Sequence, residues 1–171
     1  MIKEQSIGNN EIFMTEEKRL EGLGGWLISV KGGIIFNPLF IIIQTFLICS
    51  GLFSDGNWEL LTNPGSYAYN QFWETILIGE ISVNCGFVVL WIYTGYLFFK
   101  KKALFPRCFI GILLFGFFYS LIDALAVKAV LPKEPIFNPD TTRDLVQSFI
   151  QILIWVPYML KSKRVKVTFV N

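Results

Sequence analysis

Two acidic side chains lie in the middle of long apolar stretches of this sequence. Glu80 belongs to the stretch at about residues 72–99, and Asp123 belongs to the stretch at about 105–131. An ionisable group inside a bilayer costs about 2.5–3.5 kcal/mol on insertion scales, so it is a functional candidate by default. Carboxyl groups placed in this way can bind a cation or a small solute, or exchange a proton.

Amide side chains accompany these acids at helical spacing. Asn84 follows Glu80 by four residues, and Gln151 follows Gln147 by four, so each pair shares one face of a helix. Lipid tails cannot hydrogen-bond such groups, and we therefore expect the polar faces to turn inward and face one another. The predicted ligand-binding residues are Glu80, Asn84, Asp123, Gln44, Gln147 and Gln151.

The sequence offers little for catalysis or metal binding. It contains no histidine, which is the commonest metal ligand and general base, and Cys49, Cys85 and Cys108 form no spaced pair. We expect no cofactor and no metal. An intramembrane enzyme that uses Glu80 and Asp123 as a carboxyl dyad is the least favoured hypothesis.

The composition predicts a membrane protein. Of the 171 residues, 53% are hydrophobic and 16% are charged, whereas soluble domains carry about a quarter charged residues. Crossing a hydrocarbon core of about 30 Å takes roughly 20 residues, and four segments supply them. We predict an all-α protein, an up-down-up-down bundle of four transmembrane helices, with spans at about 24–50, 72–99, 105–131 and 141–161. A polar leader (1–23) precedes this four-helix domain (24–161), and a basic tail (162–171) follows it. Asp140 or Thr141 can cap the fourth helix. Pro38 is expected to bend the first helix, and Pro157 is expected to bend the fourth.

Lysine and arginine are concentrated at three places in the chain. Eleven of the 15 lie before residue 20, between Lys100 and Arg107, or from Lys161 onward. Cytoplasmic loops carry an excess of these residues, so both termini are predicted to be cytoplasmic. Topology accounts for the net charge of +2, which therefore gives no indication of nucleic-acid binding.

The basic residues near the end of the chain allow more than one interpretation. They can bind anionic lipid headgroups, or they can form a docking surface for a cytoplasmic partner or for the protein's own helix ends. The residues predicted for this interaction are Lys161, Lys163, Arg164 and Lys166.

The predicted orientation places most of the intramembrane polar residues in the extracytoplasmic half of the membrane. Glu80 lies roughly 10–12 Å below the outer end of its predicted helix. Gln44, Asp123 and the two glutamines of the fourth span also fall in the outer half. We therefore predict a polar cavity that opens to the extracytoplasmic side and is closed toward the cytoplasm.

Two short motifs carry a resemblance to a known family. Gly24-Gly25-Trp26-Leu27 opens the first span, and WVPYMLKSKRVKVTFV, from Trp155 to Val170, closes the chain. With four spans, these motifs resemble the small bacterial membrane proteins of domain of unknown function 2569. The resemblance implies a multi-pass protein of the bacterial inner membrane, and it brings no activity or catalytic residues.

Two functions are compatible with the sequence. The favoured one is a membrane protein that binds a small solute, cation or proton in the outward-facing cavity. The alternative is a structural or accessory subunit of a larger membrane complex with no ligand of its own, in which the amides join helices and the acids are protonated and hydrogen-bonded. A second copy of the chain or another membrane protein is the partner that these hypotheses allow, and a homodimer could supply the missing half of a transporter.

Overall fold

The computed structural model describes residues 22–131 and 135–170, and every helix or strand within these ranges is an α-helix. The predicted leader therefore lies, up to residue 21, outside the described residues. The helices are α1 (Leu27–Ser54), α2 (Asn57–Thr62), α3 (Trp73–Phe99), α4 (Phe105–Val130), α5 (Pro139–Lys161) and α6 (Lys163–Thr168). The all-α fold class is confirmed.

The four long helices lie close to the predicted segments. The largest difference is at the end of α1, which continues to Ser54 instead of ending near residue 50.

The predicted cap of α5 was wrong. Asn138 precedes the helix, and its side-chain oxygen accepts a hydrogen bond from the backbone N–H of Thr141 at 2.7 Å. Asparagine is among the best N-cap residues, and Pro139 suits the first helical position. Both prolines that were expected to bend helices lie inside continuous ones, Pro38 in α1 and Pro157 in α5.

Two short helices were not predicted. The region between the first two spans contains α2, which follows Gly56 (φ 70°) and packs against α1 and α3. The Asn57 side chain fixes its start by donating to the Gly51 carbonyl at 2.9 Å. The second, α6, lies in the tail, where Ser162 caps it by accepting from the Val165 N–H at 3.5 Å.

The long helices pack in chain order. The α1 helix packs against α3, α3 against α4, and α4 against α5. The ring contacts show antiparallel neighbours: Phe98 meets Phe105 where α3 ends and α4 begins, while Phe87 meets Phe115 farther along both helices.

Three helices, α1, α3 and α4, are long and apolar enough to cross a membrane. Their outer surfaces carry large exposed apolar side chains such as Phe36, Ile92 and Phe118, as helices in contact with lipid do. The fourth long helix, α5, has 23 residues but is not among these spans.

The core lies at one end of the bundle. We call this the basic end: α1 and α4 begin there, and α3 and α5 end there beside Lys100 and Lys161. Phe98 and Phe105 are completely buried in it, with ring centroids 5.0 Å apart. Aromatic packing therefore closes the basic end.

Candidate functional site

The other half of the bundle contains a cavity of about 850 Å³. Its walls come from all four long helices: Gln44 lies on α1, Glu80 on α3, Tyr119 on α4 and Gln147 on α5. The volume lies within the range of small-molecule sites, about 300–1,000 Å³. We call this space the polar cavity.

The structure brings five of the six predicted ligand-binding residues to the polar cavity: Gln44, Glu80, Asn84, Gln147 and Gln151. Glu80 and Asn84 come from one face of α3, and Gln147 and Gln151 come from one face of α5, as the four-residue spacing predicted. The binding of a ligand by these residues remains a prediction.

The sixth predicted residue, Asp123, lies on α4 in an adjoining cavity of about 310 Å³. Tyr119, Ser120 and Asp144 line both spaces. The Asp123 carboxylate is within electrostatic range of Glu80. The two acids therefore interact electrostatically, and they border adjoining spaces.

Three charged residues of the polar cavity were not predicted as site residues. Asp140, Arg143 and Asp144 occupy the first turns of α5 and line the cavity. A sequence signal existed, because Arg143, Gln147 and Gln151 follow one another at intervals of four. The lining thus contains three carboxyl groups and one guanidinium.

The inner part of the polar cavity is apolar. Phe40, Phe87, Trp91 and Phe117 line it together with aliphatic side chains. The Trp91 ring meets Phe109 edge-to-face at 6.0 Å and is 5% exposed. Trp91 therefore belongs both to the cavity wall and to the core that closes the basic end.

Asn37 is a further polar residue of the cavity, positioned one residue before Pro38. Its side-chain N–H donates to the Gly33 carbonyl at 2.7 Å. Proline has no backbone N–H to complete the helical hydrogen-bond pattern here. The carbonyl that Pro38 leaves without its helical donor is that of Ile34, and the Asn37 side chain bonds the carbonyl one residue before it.

The predicted interaction residues of the tail divide into two groups. Lys161, Lys163 and Lys166 are exposed, whereas Arg164 is half-buried. The Arg164 guanidinium lies over Gly24 and Gly25, where an added Cβ would be 3.1 Å from Nη1 and 3.6 Å from Nε respectively. Gly25 also has φ 61°, a conformation that favours glycine. The glycine pair therefore leaves the space that Arg164 occupies.

The rest of the tail is held on the same surface. The Thr168 hydroxyl accepts from the Gly22 N–H at 3.2 Å and lies 3.3 Å from the Gly22 carbonyl, to which it can donate. Phe169 stacks on Phe105 with ring centroids 4.5 Å apart. The two motifs that carried the family resemblance thus contact each other, and the tail docks on the protein's own helix ends.

Comparison with known proteins identifies the family of this chain. The family described as protein of unknown function DUF2569 matches residues 20–170. The protein named inner membrane protein YdgK, of Escherichia coli strain K12, is 30% identical over 152 residues, which cover 87% of this chain and 94% of that protein. No solved structure matches the chain. The predicted family and the inner-membrane location are confirmed, and the chain belongs to the DUF2569 family.

Proposed function

We propose that this protein binds a small polar solute or a cation in the polar cavity, and that the cavity opens toward the extracytoplasmic side of the inner membrane. The observation that carries the proposal is the convergence of polar side chains from four helices on one space of about 850 Å³. A largely preformed pocket with a few convergent polar groups is the usual form of a small-molecule site.

The proposal includes α5 as a fourth span. Its 23 residues extend about 34 Å at 1.5 Å per residue, enough for a hydrocarbon core of about 30 Å. The polar residues Arg143, Gln147 and Gln151 make α5 less apolar than the other three long helices. Because these residues line the cavity, they do not have to contact lipid tails. Polar residues in a span are tolerated where they line a water-filled space.

The distribution of basic residues supports the orientation. Lys100, Lys101, Lys102 and Arg107 lie at the basic end with the tail residues. Under the positive-inside rule, this end faces the cytoplasm and both termini lie there. The polar cavity, in the opposite half of the bundle, then faces outward.

Two features support a functional role for the cavity residues: their depth in the bundle and their hydrogen bonding. Glu80 lies seven residues into α3, about 10 Å from its outer end, and Gln44 lies ten residues before the end of α1, about 15 Å from it. Within the described ranges, no hydrogen bond joins Gln44, Glu80 or Gln147 to another helix. Polar side chains that only hold helices together would bond across them. Water or a ligand in the cavity satisfies these groups instead.

Replacing Glu80 by glutamine tests the proposal. The full-length protein, purified in a neutral detergent, is screened for thermal stabilisation by sodium, potassium, choline, ethanolamine and glycine. A ligand at 100 times its Kd stabilises the folded state by about 2.7 kcal/mol. Because a hydrogen bond to a charged group contributes about 1.5–3 kcal/mol, Glu80→Gln should weaken that ligand about 10- to 100-fold.

Glu74→Gln provides the matched control, since Glu74 lies on the same helix, is exposed and does not line the cavity. It should bind like the wild type. A ligand that stabilises the wild type and Glu80→Gln equally would contradict the proposed role of Glu80. A panel without any effect would count against solute binding.

A further inference from the structure

The polar cavity has a side opening between the first and last long helices. Along their lengths, the described parts of α1 and α5 do not pack together as the other neighbouring long helices do. They approach at the basic end, where Trp26 meets Trp155 at 6.2 Å and Tyr158 at 6.5 Å. We call the gap between α1 and α5 beyond this contact the seam.

Four residues mark the mouth of the cavity at the seam. Phe40 and Gln44 from α1, and Asp144 and Gln147 from α5, line the cavity and are exposed at the same time. Phe40, which is 62% exposed, lies 13 residues into α1, about 20 Å from the basic end and near the middle of the helix. The mouth therefore reaches from the outer half of the bundle to mid-bilayer depth.

The cavity changes in chemistry along this opening. Among the described residues that line it, the outer part carries the carboxyl groups of Glu80, Asp140 and Asp144 against one cation, Arg143. This excess of carboxyl groups favours an amine over an anion. Farther in, Phe40 on α1 and Trp91 on α3 offer apolar surface to the cavity, and aromatic ring faces also attract cations.

We propose that the occupant of the polar cavity is an amphiphile with an amine-bearing headgroup, which enters sideways from the bilayer through the seam. The inference rests on the proposed function and names its ligand class. The headgroup lies among the carboxyl groups, and the alkyl chain passes Phe40 and leaves the cavity between α1 and α5. A water-soluble ligand would enter the cavity from the aqueous side and would not need a mouth at mid-bilayer depth.

Chain length separates an amphiphile from a polar solute. Binding of n-decylamine and n-butylamine to the full-length protein in a neutral maltoside detergent is measured by thermal stabilisation, with the free amine concentration corrected for partitioning into protein-free micelles. Each methylene removed from water favours binding, so decylamine should bind at least about 10-fold more tightly than butylamine. Glu80→Gln should weaken decylamine at least about 10-fold, and Glu74→Gln should not. The anion n-decyl sulfate, with the same chain length, should not stabilise the protein.

The outcomes distinguish the two proposals. Equal, Glu80-dependent binding of decylamine and butylamine would overturn the amphiphile inference and support the binding of a polar cation. Equal stabilisation by decylamine and decyl sulfate, or decylamine binding that Glu80→Gln leaves unchanged, would show unspecific association of alkyl chains and overturn the inference. A protein that binds neither amine, yet gains stability from a solute of the panel above in a Glu80-dependent way, would overturn the inference and retain the proposed function.

Discussion

Replacing Phe169 by alanine should release α6 from the basic end of the bundle. The Phe169 ring is 5% exposed and lies 4.5 Å from the Phe105 ring and 5.8 Å from the Phe98 ring, measured between centroids. Besides this ring, the tail is held by the buried Val165 side chain and by the hydrogen bonds of Thr168. A helix of six residues does not persist alone in water, so α6 depends on these contacts.

The expected size of the effect follows from the burial of the ring. Truncating a buried phenylalanine to alanine costs about 3–5 kcal/mol, and the lower value suits a terminal segment that can readjust. Since about 1.4 kcal/mol corresponds to a factor of ten, a loss of about 3 kcal/mol raises the population of the undocked tail roughly 100-fold.

Hydrogen exchange followed by mass spectrometry measures this population in the full-length protein. Amides of residues 163–169 should exchange roughly 100-fold faster in Phe169→Ala, because exchange occurs through local opening. Val170→Ala is the matched control, since Val170 is the next residue and is 67% exposed; its exchange should match the wild type. Equal exchange in the two variants would refute the docking role of Phe169. Faster exchange spread evenly over α3 and α4 would refute the local nature of the docking.

Two further substitutions test the helix packing and the start of α5. Gly95→Ala places a Cβ 3.1 Å from Ile34 Cγ2 at the contact of α1 with α3, so overpacking should lower stability by about 1–3 kcal/mol. Gly79→Ala on the same helix meets open space, and equal melting temperatures of the two variants would contradict the packing argument. Asn138→Ala removes the acceptor for the Thr141 N–H and should cost about 1 kcal/mol, seen as faster hydrogen exchange in the first turn of α5. Unchanged exchange there would show that the cap contributes nothing.

The helices α1, α3 and α4 could be predicted because membrane insertion imposes a length and an apolar character on each of them. The same reasoning missed α6, whose sequence KRVKVT alternates polar and apolar residues and gives no helical period. The helix forms because Ser162 caps it and because Val165 and Phe169 become buried against the bundle. Both causes are local or tertiary contacts that a hydropathy pattern does not contain.

The polar residues show the same division. Helical periodicity placed Glu80 and Asn84 on one face of a helix and Gln147 and Gln151 on one face of another, and these polar faces predicted a shared polar space. Periodicity does not set how each helix is rotated and staggered against its neighbour. That stagger puts Asp123 in the adjoining cavity and brings Arg143 into the polar cavity.

The amino-acid sequence by itself determined that this protein is helical and membrane-embedded and that its basic residues gather at one end, because apolar length and charge act segment by segment. Only the tertiary structure decided that the GGWL motif and the tail contact each other, with Arg164 over Gly24 and Gly25. It alone also decided that the polar faces surround one cavity, to which all four long helices contribute. These features depend on which surfaces meet, and contacts between residues more than 100 positions apart follow from packing that no single segment encodes.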